Sequence, residues 1–129
     1  MSDDLFEAAL AARAKAYAPA SQFSVGAAIR GRNGKIYAGC NIENAAYPEG
    51  WCAETSAISH MVMDGERSIA EVCVIGTGEV FCTPCGGCRQ RLAEFGSADV
   101  PVHIAKDGGI VRTFRLGDLL PAGFELDRP

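Results

Sequence analysis

The chain has 129 residues, 48% of them apolar and 22% charged, which excludes disordered, collagen-like and mucin-like classes. A chain of this length buries roughly 65–70% of the surface it exposes when unfolded, so one domain spanning residues 1–129 is expected. Twelve basic and sixteen acidic residues leave a net charge of −4, which gives no field for a phosphate backbone and argues against a nucleic-acid polymer as partner. The sequence holds no apolar run near the ~20 residues of a membrane span, and Ser2-Asp3-Asp4 is acidic where a secretory leader is basic. A cytoplasmic location and no membrane partner are therefore expected.

Residues 4–17 read as an amphipathic helix, with Asp4 and Glu7 at capping-box spacing, Phe6, Leu10, Ala14 and Tyr17 as its apolar stripe, and Pro19 as its stop. Two alternating segments follow, Val25, Ala27, Ile29 and then Ile36, Ala38, Cys40. Gly31-Arg32-Asn33-Gly34 joins them, so the pair reads as a β-hairpin. Residues 41–51 have no period and contain Pro48 and Gly50, as a loop does. A second helix fits 52–64, with Ala53, Ala57, Ile58, Met61 and Val62 at helical spacing and Gly65 placed for a left-handed cap. Val72-Cys73-Val74-Ile75 is a continuous apolar run, which suits a strand covered on both faces at the centre of the sheet. A third helix is expected from about 85 to 95, closed by Gly96. Strands at 100–105 and 110–115 flank a turn at Asp107-Gly108-Gly109. The order αββαβαββ implies an α/β fold, a three-layer α/β/α domain on a mixed sheet of about five strands.

Six cysteines in 129 residues fall below the ~8–10% of small disulfide scaffolds. Six is even, so a disulfide framework remains the alternative, but three lie together in Cys82-Thr83-Pro84-Cys85-Gly86-Gly87-Cys88. That clustering points to a metal in a reducing compartment. Cys85 and Cys88, three apart, share one face of a first helical turn and can hold one Zn²⁺. Cys52 would be the third ligand, leaving the fourth position for water, as catalytic zinc does. Glu54 follows two residues later, about 200° around a regular helix, so both can face one metal only if Cys52 stands at the helix cap. Three thiolates leave a zinc unit with one net negative charge, so its water is acidified less than on a zinc held by imidazoles, and the Glu54 base matters more.

These residues resemble the cytidine deaminase family, of the small homotetrameric type with a three-cysteine zinc. The resemblance rests on Cys52-Ala53-Glu54 and Pro84-Cys85-Gly86-Gly87-Cys88-Arg89-Gln90. It extends through Phe23-Ser24-Val25-Gly26-Ala27-Ala28, Gly39-Cys40-Asn41-Ile42-Glu43-Asn44-Ala45, and Leu119-Leu120-Pro121 with Phe124. It implies hydrolytic deamination of cytidine and deoxycytidine to uridine and deoxyuridine in pyrimidine salvage, with one Zn²⁺ per chain on Cys52, Cys85 and Cys88. Glu54 is then the catalytic proton carrier. Asn41 and Glu43 match positions that hold the ribose hydroxyls, Phe23 one that packs on the nucleoside, and Ala53 one whose N–H reaches the pyrimidine O2. Ala45 and Tyr47 complete the implied substrate contacts, and Phe124 matches an aromatic that enters a neighbouring subunit's site in a homotetramer. The chain departs from the pattern in having Thr55 where many members carry Arg directly after the Glu, and Ala20 in the neighbourhood where a Tyr often precedes the Phe.

Other readings set against this one are a closed structural zinc with Cys82 as fourth ligand, a zinc-stabilised binding module, and a deaminase for another aminopyrimidine nucleoside or nucleoside antibiotic. Cys40 and Cys73 fall in strand patterns and read as small buried residues. His60 and His103 have no partner at zinc-finger spacing and read as structural.

Overall fold

Small residues decide where the first helix lies. In this computed structural model, which describes residues 2–126, α1 (Ser2–Arg13) buries Leu5, Ala9 and Ala12. Its backbone rests on the start of β1 (Gly26–Gly31) so closely that a Cβ on Gly26 would stand 2.1 Å from the Ala9 carbonyl oxygen. The expected stripe of Phe6, Leu10, Ala14 and Tyr17 is thus displaced toward the alanines. The helix also ends well before Pro19, because the Tyr17 backbone is used elsewhere. Its N–H donates to the Asn41 carbonyl (3.0 Å) and its carbonyl accepts from Glu43 N–H (2.8 Å). Asp4 is no cap either; it lies inside the helix, where its carboxylate takes a hydrogen bond from Arg30 Nη2 (2.6 Å).

The hairpin of β1 and β2 (Ile36–Cys40) pairs as expected. On β2, however, Tyr37 and Gly39 are the buried positions, and Ile36, Ala38 and Cys40 are half-buried. Tyr37 reaches the edge of the core with its ring while its hydroxyl meets Asp64 Oδ2 at 2.5 Å, so an aromatic with a polar tip faces inward. A 3-10 turn at Tyr47–Glu49 precedes α2 (Ala53–Met63). The end of α2 at Asp64 is followed by Gly65 at φ +91°, the left-handed conformation that favours glycine. Next come β3 (Ile69–Ile75), α3 (Gly86–Phe95), β4 (Pro101–Lys106), β5 (Gly109–Arg115) and a short α4 (Leu116–Leu119). The sequence reading omitted α4, since four residues carry no periodicity.

Among the described residues the sheet has five strands in the order β2-β1-β3-β4-β5, with β3 and β4 parallel and the other pairs antiparallel. β3 is central, as its unbroken apolar run implies. Alternation along each strand sends Ala27, Ile29, Val72, Val74, Val102 and Ile104 to one face, where α2, α3 and α4 cover them. Ala28, Cys73, Ile75 and Ala105 go to the other, under Leu5 and Ala9 of α1. The three-layer architecture follows from that division. Beyond α1 the second face is polar. His103 Nε2 lies 2.6 Å from Glu71 Oε2, His103 Nδ1 lies 2.7 Å from Thr113 Oγ1, and Arg30 Nε donates to Glu71 Oε1 (3.2 Å). His60 is held at the far end of α2, 2.8 Å from the Ala38 carbonyl. Both histidines therefore have local partners.

The seat of α2 depends on Gly39. A Cβ there would stand 2.5 Å from Ala57 N and 2.6 Å from the Ala53 carbonyl, so helix backbone meets strand backbone directly. Gly39→Ala is expected to lower unfolding stability by ~1–3 kcal/mol, the cost of overpacking a core, and to lift the α2 N-terminus. Denaturant titration checks this, and an unchanged midpoint would contradict it.

Candidate active site

Two helices begin at the same place. Cys52 is the N-cap of α2 (φ −75°, ψ 154°) and Cys85 the N-cap of α3 (φ −67°, ψ 168°), both in extended backbone. Their side chains project from the helix starts, and neither makes a capping hydrogen bond. Cys88, one turn into α3, points the same way and is buried, whereas Cys85 is exposed. The three sulfurs lie within 4.8 Å of one another, compatible with the ~2.3 Å bonds of a thiolate-held zinc. The amides of each first turn lack intrahelical acceptors, so both helix ends present partial positive charge to the sulfurs.

The sulfurs perturb one another. A hydrogen bond with Cys88 holds the Cys52 thiol below its usual range, and the same bond, with burial, pushes Cys88 up. Three cysteine sulfurs gathered at two helix starts are a donor set that suits a divalent metal, which binds them as thiolates. Among the described residues the group of ligating atoms contains Cys52, Cys85 and Cys88 and not Cys82. Cys82 is half-buried next to them, its thiol pushed up to about 11, mainly by burial and further by the charges of Glu54 and Cys85.

Glu54 occupies the first turn of α2 and is 5% exposed. Burial raises its pKa, opposed by hydrogen bonds from its own backbone N–H and from Cys88 and by the charge of Arg91. The cap position of Cys52 removes the 200° conflict expected of a regular helix. A carboxyl that is buried, raised in pKa and beside the sulfurs is suited to taking and returning a proton.

The segment around Phe23 reaches the same region. A Cβ on Gly76 would stand 2.8 Å from both Phe23 Cζ and Cys82 Cβ, so the Phe23 ring and Cys82 share the space left by that glycine. Asn41 braces the segment, its Oδ1 accepting from Val25 N–H (2.8 Å) and its Nδ2 donating to the Phe23 carbonyl (2.9 Å). Glu43 accepts from the backbone of Ala20 (2.8 Å) and Ser21 (3.1 Å) and from the Ser21 hydroxyl. The Ser21 hydrogen bond is the main reason its carboxyl titrates below the usual range. Glu43 and Tyr47 line an open cleft of about 350 Å³ with Ala20, Ser21, Asn44 and Gly50. Ala45 is exposed on the same loop, and Ala53 is buried as the first residue of α2. Phe124 is not part of this chain's own sulfur site. It is 68% exposed, held by a hydrogen bond from Gln90 Nε2 to its carbonyl (3.2 Å), beside a separate groove of about 430 Å³ between α3 and the C-terminal segment.

Arg89 stands in the motif without a role read for it, and the sequence reading does not single out Arg91 or Thr77. Arg89 ties the start of α3 to α4, its Nε donating to the Pro84 carbonyl (2.7 Å), Nη1 to the Leu119 carbonyl (3.0 Å) and Nη2 to Thr83 Oγ1 (3.1 Å). Arg91 donates from Nη1 to Cys88 Sγ (3.6 Å). Thr77 Oγ1 donates to the Ser24 carbonyl and accepts from Ser24 N–H. Arg91 sits one helical turn beyond Cys88, which is the hint the sequence offers for it.

Comparison with known proteins agrees with this geometry. Residues 1–104 match the family model described as the cytidine and deoxycytidylate deaminase zinc-binding region. A cytidine deaminase of Sporosarcina psychrophila is 43% identical over 113 residues, covering 88% of this chain and 83% of that protein. The crystal structure of a cytidine deaminase from Burkholderia pseudomallei superposes with a TM-score of 0.90 at 43% identity, covering 96% of this chain and 99% of that one. That from Mycobacterium tuberculosis gives 0.84 at 35% identity, covering 97% and 98%. With a zinc-binding family model spanning its three cysteines and Glu54, the chain belongs to the cytidine and deoxycytidylate deaminase family.

Proposed function

We propose that this protein hydrolyses cytidine and deoxycytidine to uridine and deoxyuridine with release of ammonia, using one zinc per chain held by Cys52, Cys85 and Cys88. The observation that carries the reading is the buried Glu54 beside three convergent sulfurs at two helix N-termini. Zinc, when bound there, supplies an acidified water at the pyrimidine C4. Glu54 takes one proton from that water and delivers it to N3 as the new C–O bond forms. It then carries the second proton to the exocyclic amine, the C4–N bond breaks, and ammonia leaves behind a carbonyl. The balance is one water consumed and one ammonia released, with Glu54 returned to its starting state.

The nucleoside contacts follow from the same reading. Phe23 packs on the substrate, and the ionised Glu43 accepts from ribose hydroxyls in its cleft. Asn41, whose side chain already serves Val25 and Phe23, retains one N–H and one lone pair for a hydroxyl. Ala45 and Tyr47 flank that end, and the Ala53 amide at the start of α2 meets the pyrimidine O2. We assign residues 1–129 to a single domain acting in pyrimidine salvage in the cytoplasm, on a small nucleoside rather than a nucleic-acid polymer. No helix of the described residues is long and apolar enough to cross a membrane. Exposed Tyr17, Ile42, Tyr47, Trp51 and Phe124 give this surface more large apolar area than an isolated subunit needs. A homotetramer in which Phe124 closes a neighbour's site accounts for them.

Glu54→Gln is expected to keep one zinc per chain and the parent's melting curve while lowering kcat by at least ~10²–10⁴. Parallel ammonia and ultraviolet assays on cytidine measure this, and full activity in the variant would remove Glu54 from the reaction. Phe124→Ala should weaken assembly in sedimentation and raise KM; a variant with parental assembly and kinetics would leave the shared site without support.

A further inference from the structure

Three thiolates around one divalent cation leave a net negative charge, and a buried carboxylate beside them adds another. The polar groups bonded to the sulfurs from outside converge on Cys88. Thr55 Oγ1 lies 3.7 Å from its Sγ, and Arg91 Nη1 donates to the same atom at 3.6 Å. Arg91 stands one turn beyond Cys88 on α3, on the same helix face. Its guanidinium folds back over the first turn, where a Cβ on Gly87 would come within 3.2 Å of Nη1. The guanidinium thus lies close over Gly87, which leaves it room. Cys88, Cys52 and Cys85 all lie within electrostatic reach of this guanidinium, and so does Glu54.

We propose that Arg91 is the positioning residue that offsets the excess negative charge of the cysteine site through Cys88 and so keeps the bound metal electron-poor enough for the reaction. Thr55 carries no charge, so at the α2 end the same sulfur meets only a hydroxyl. Arg91 touches neither substrate nor metal and acts through the sulfur. A guanidinium bonded to a thiolate stabilises its lone pair, so less electron density passes to the metal. The inference rests on the zinc deaminase reading above, yet its spectroscopic part can be read in the absence of turnover.

Arg91 is exposed, so Arg91→Gln and Arg91→Lys are expected to fold. Gln removes the charge and leaves a shorter, neutral amide, whereas Lys keeps the charge. Each variant is loaded with Co²⁺ and its sulfur-to-cobalt charge-transfer band recorded; each is also loaded with Zn²⁺ and assayed on cytidine. Arg91→Gln should move the band to longer wavelength at one cobalt per chain and lower kcat about tenfold with KM unchanged, the scale of one charge-assisted hydrogen bond. Arg91→Lys should stay near the parent in both. A parental band in Arg91→Gln, or an equal shift in Arg91→Lys, overturns the proposal. A shifted band with parental kcat overturns its catalytic half. If the parent turns over no cytidine, the deaminase reading fails, and the cobalt bands still decide whether Arg91 bears on the sulfurs.

Discussion

Like charges brought together need a reason to stay, and the site collects three sulfurs within 4.8 Å of one another and a buried carboxyl. What makes this tolerable is the meeting of two helix N-termini, whose unpaired amides face the sulfurs. The rest of the fold holds those two ends in register. β3 and β4 run parallel at the middle of the sheet, and α3 lies between them in the chain, a crossover that returns on one face. Gly39 lets α2 settle against the same face with backbone touching backbone. Arg89 then ties the loop before α3 to α4, so Cys85 is fixed from outside the site as well as from within.

The two sheet faces divide the work. The face under α2 and α3 carries the sulfurs, Glu54 and the larger apolar cluster. The opposite face carries α1 and the Glu71, His103 and Thr113 network. Both histidines are engaged by partners away from the sulfurs, and among the described residues the group that could hold a metal consists of cysteines. That choice brings a charge problem that an imidazole site lacks, and the groups bonded to Cys88 from α2 and α3 bear on it.

Much of this was legible in the sequence because periodicity and spacing report burial and helix ends well. The unbroken run at 72–75 marked the central strand, Gly65 the end of α2, and the two-residue offset between Cys52 and Glu54 the cap at which α2 begins. Where the sequence misled, contact chemistry had overruled hydropathy. On β2 the alternation of Ile36, Ala38 and Cys40 marked the strand and the face toward α1, but the more deeply buried face belongs to Tyr37 and Gly39, one with a polar tip and one with no side chain, which hydropathy does not register. The buried stripe of α1 is Leu5, Ala9 and Ala12, set just before the expected stripe in the chain, and the two alanines with Gly26 let the helix backbone meet the strand. Arg91 looks like any surface arginine until its guanidinium is seen to turn back onto Cys88, a property of side-chain conformation that no spacing encodes.

The central claim is an open three-thiolate centre, with Cys82 close by but outside the ligand set and Glu54 facing the free position. X-ray absorption at the zinc edge of the zinc-loaded chain tests it most directly. The account predicts three sulfur neighbours and one lighter atom at the metal. Four sulfurs, in the parent but three in Cys82→Ser, would make the centre closed and structural and leave Glu54 with nothing to act on.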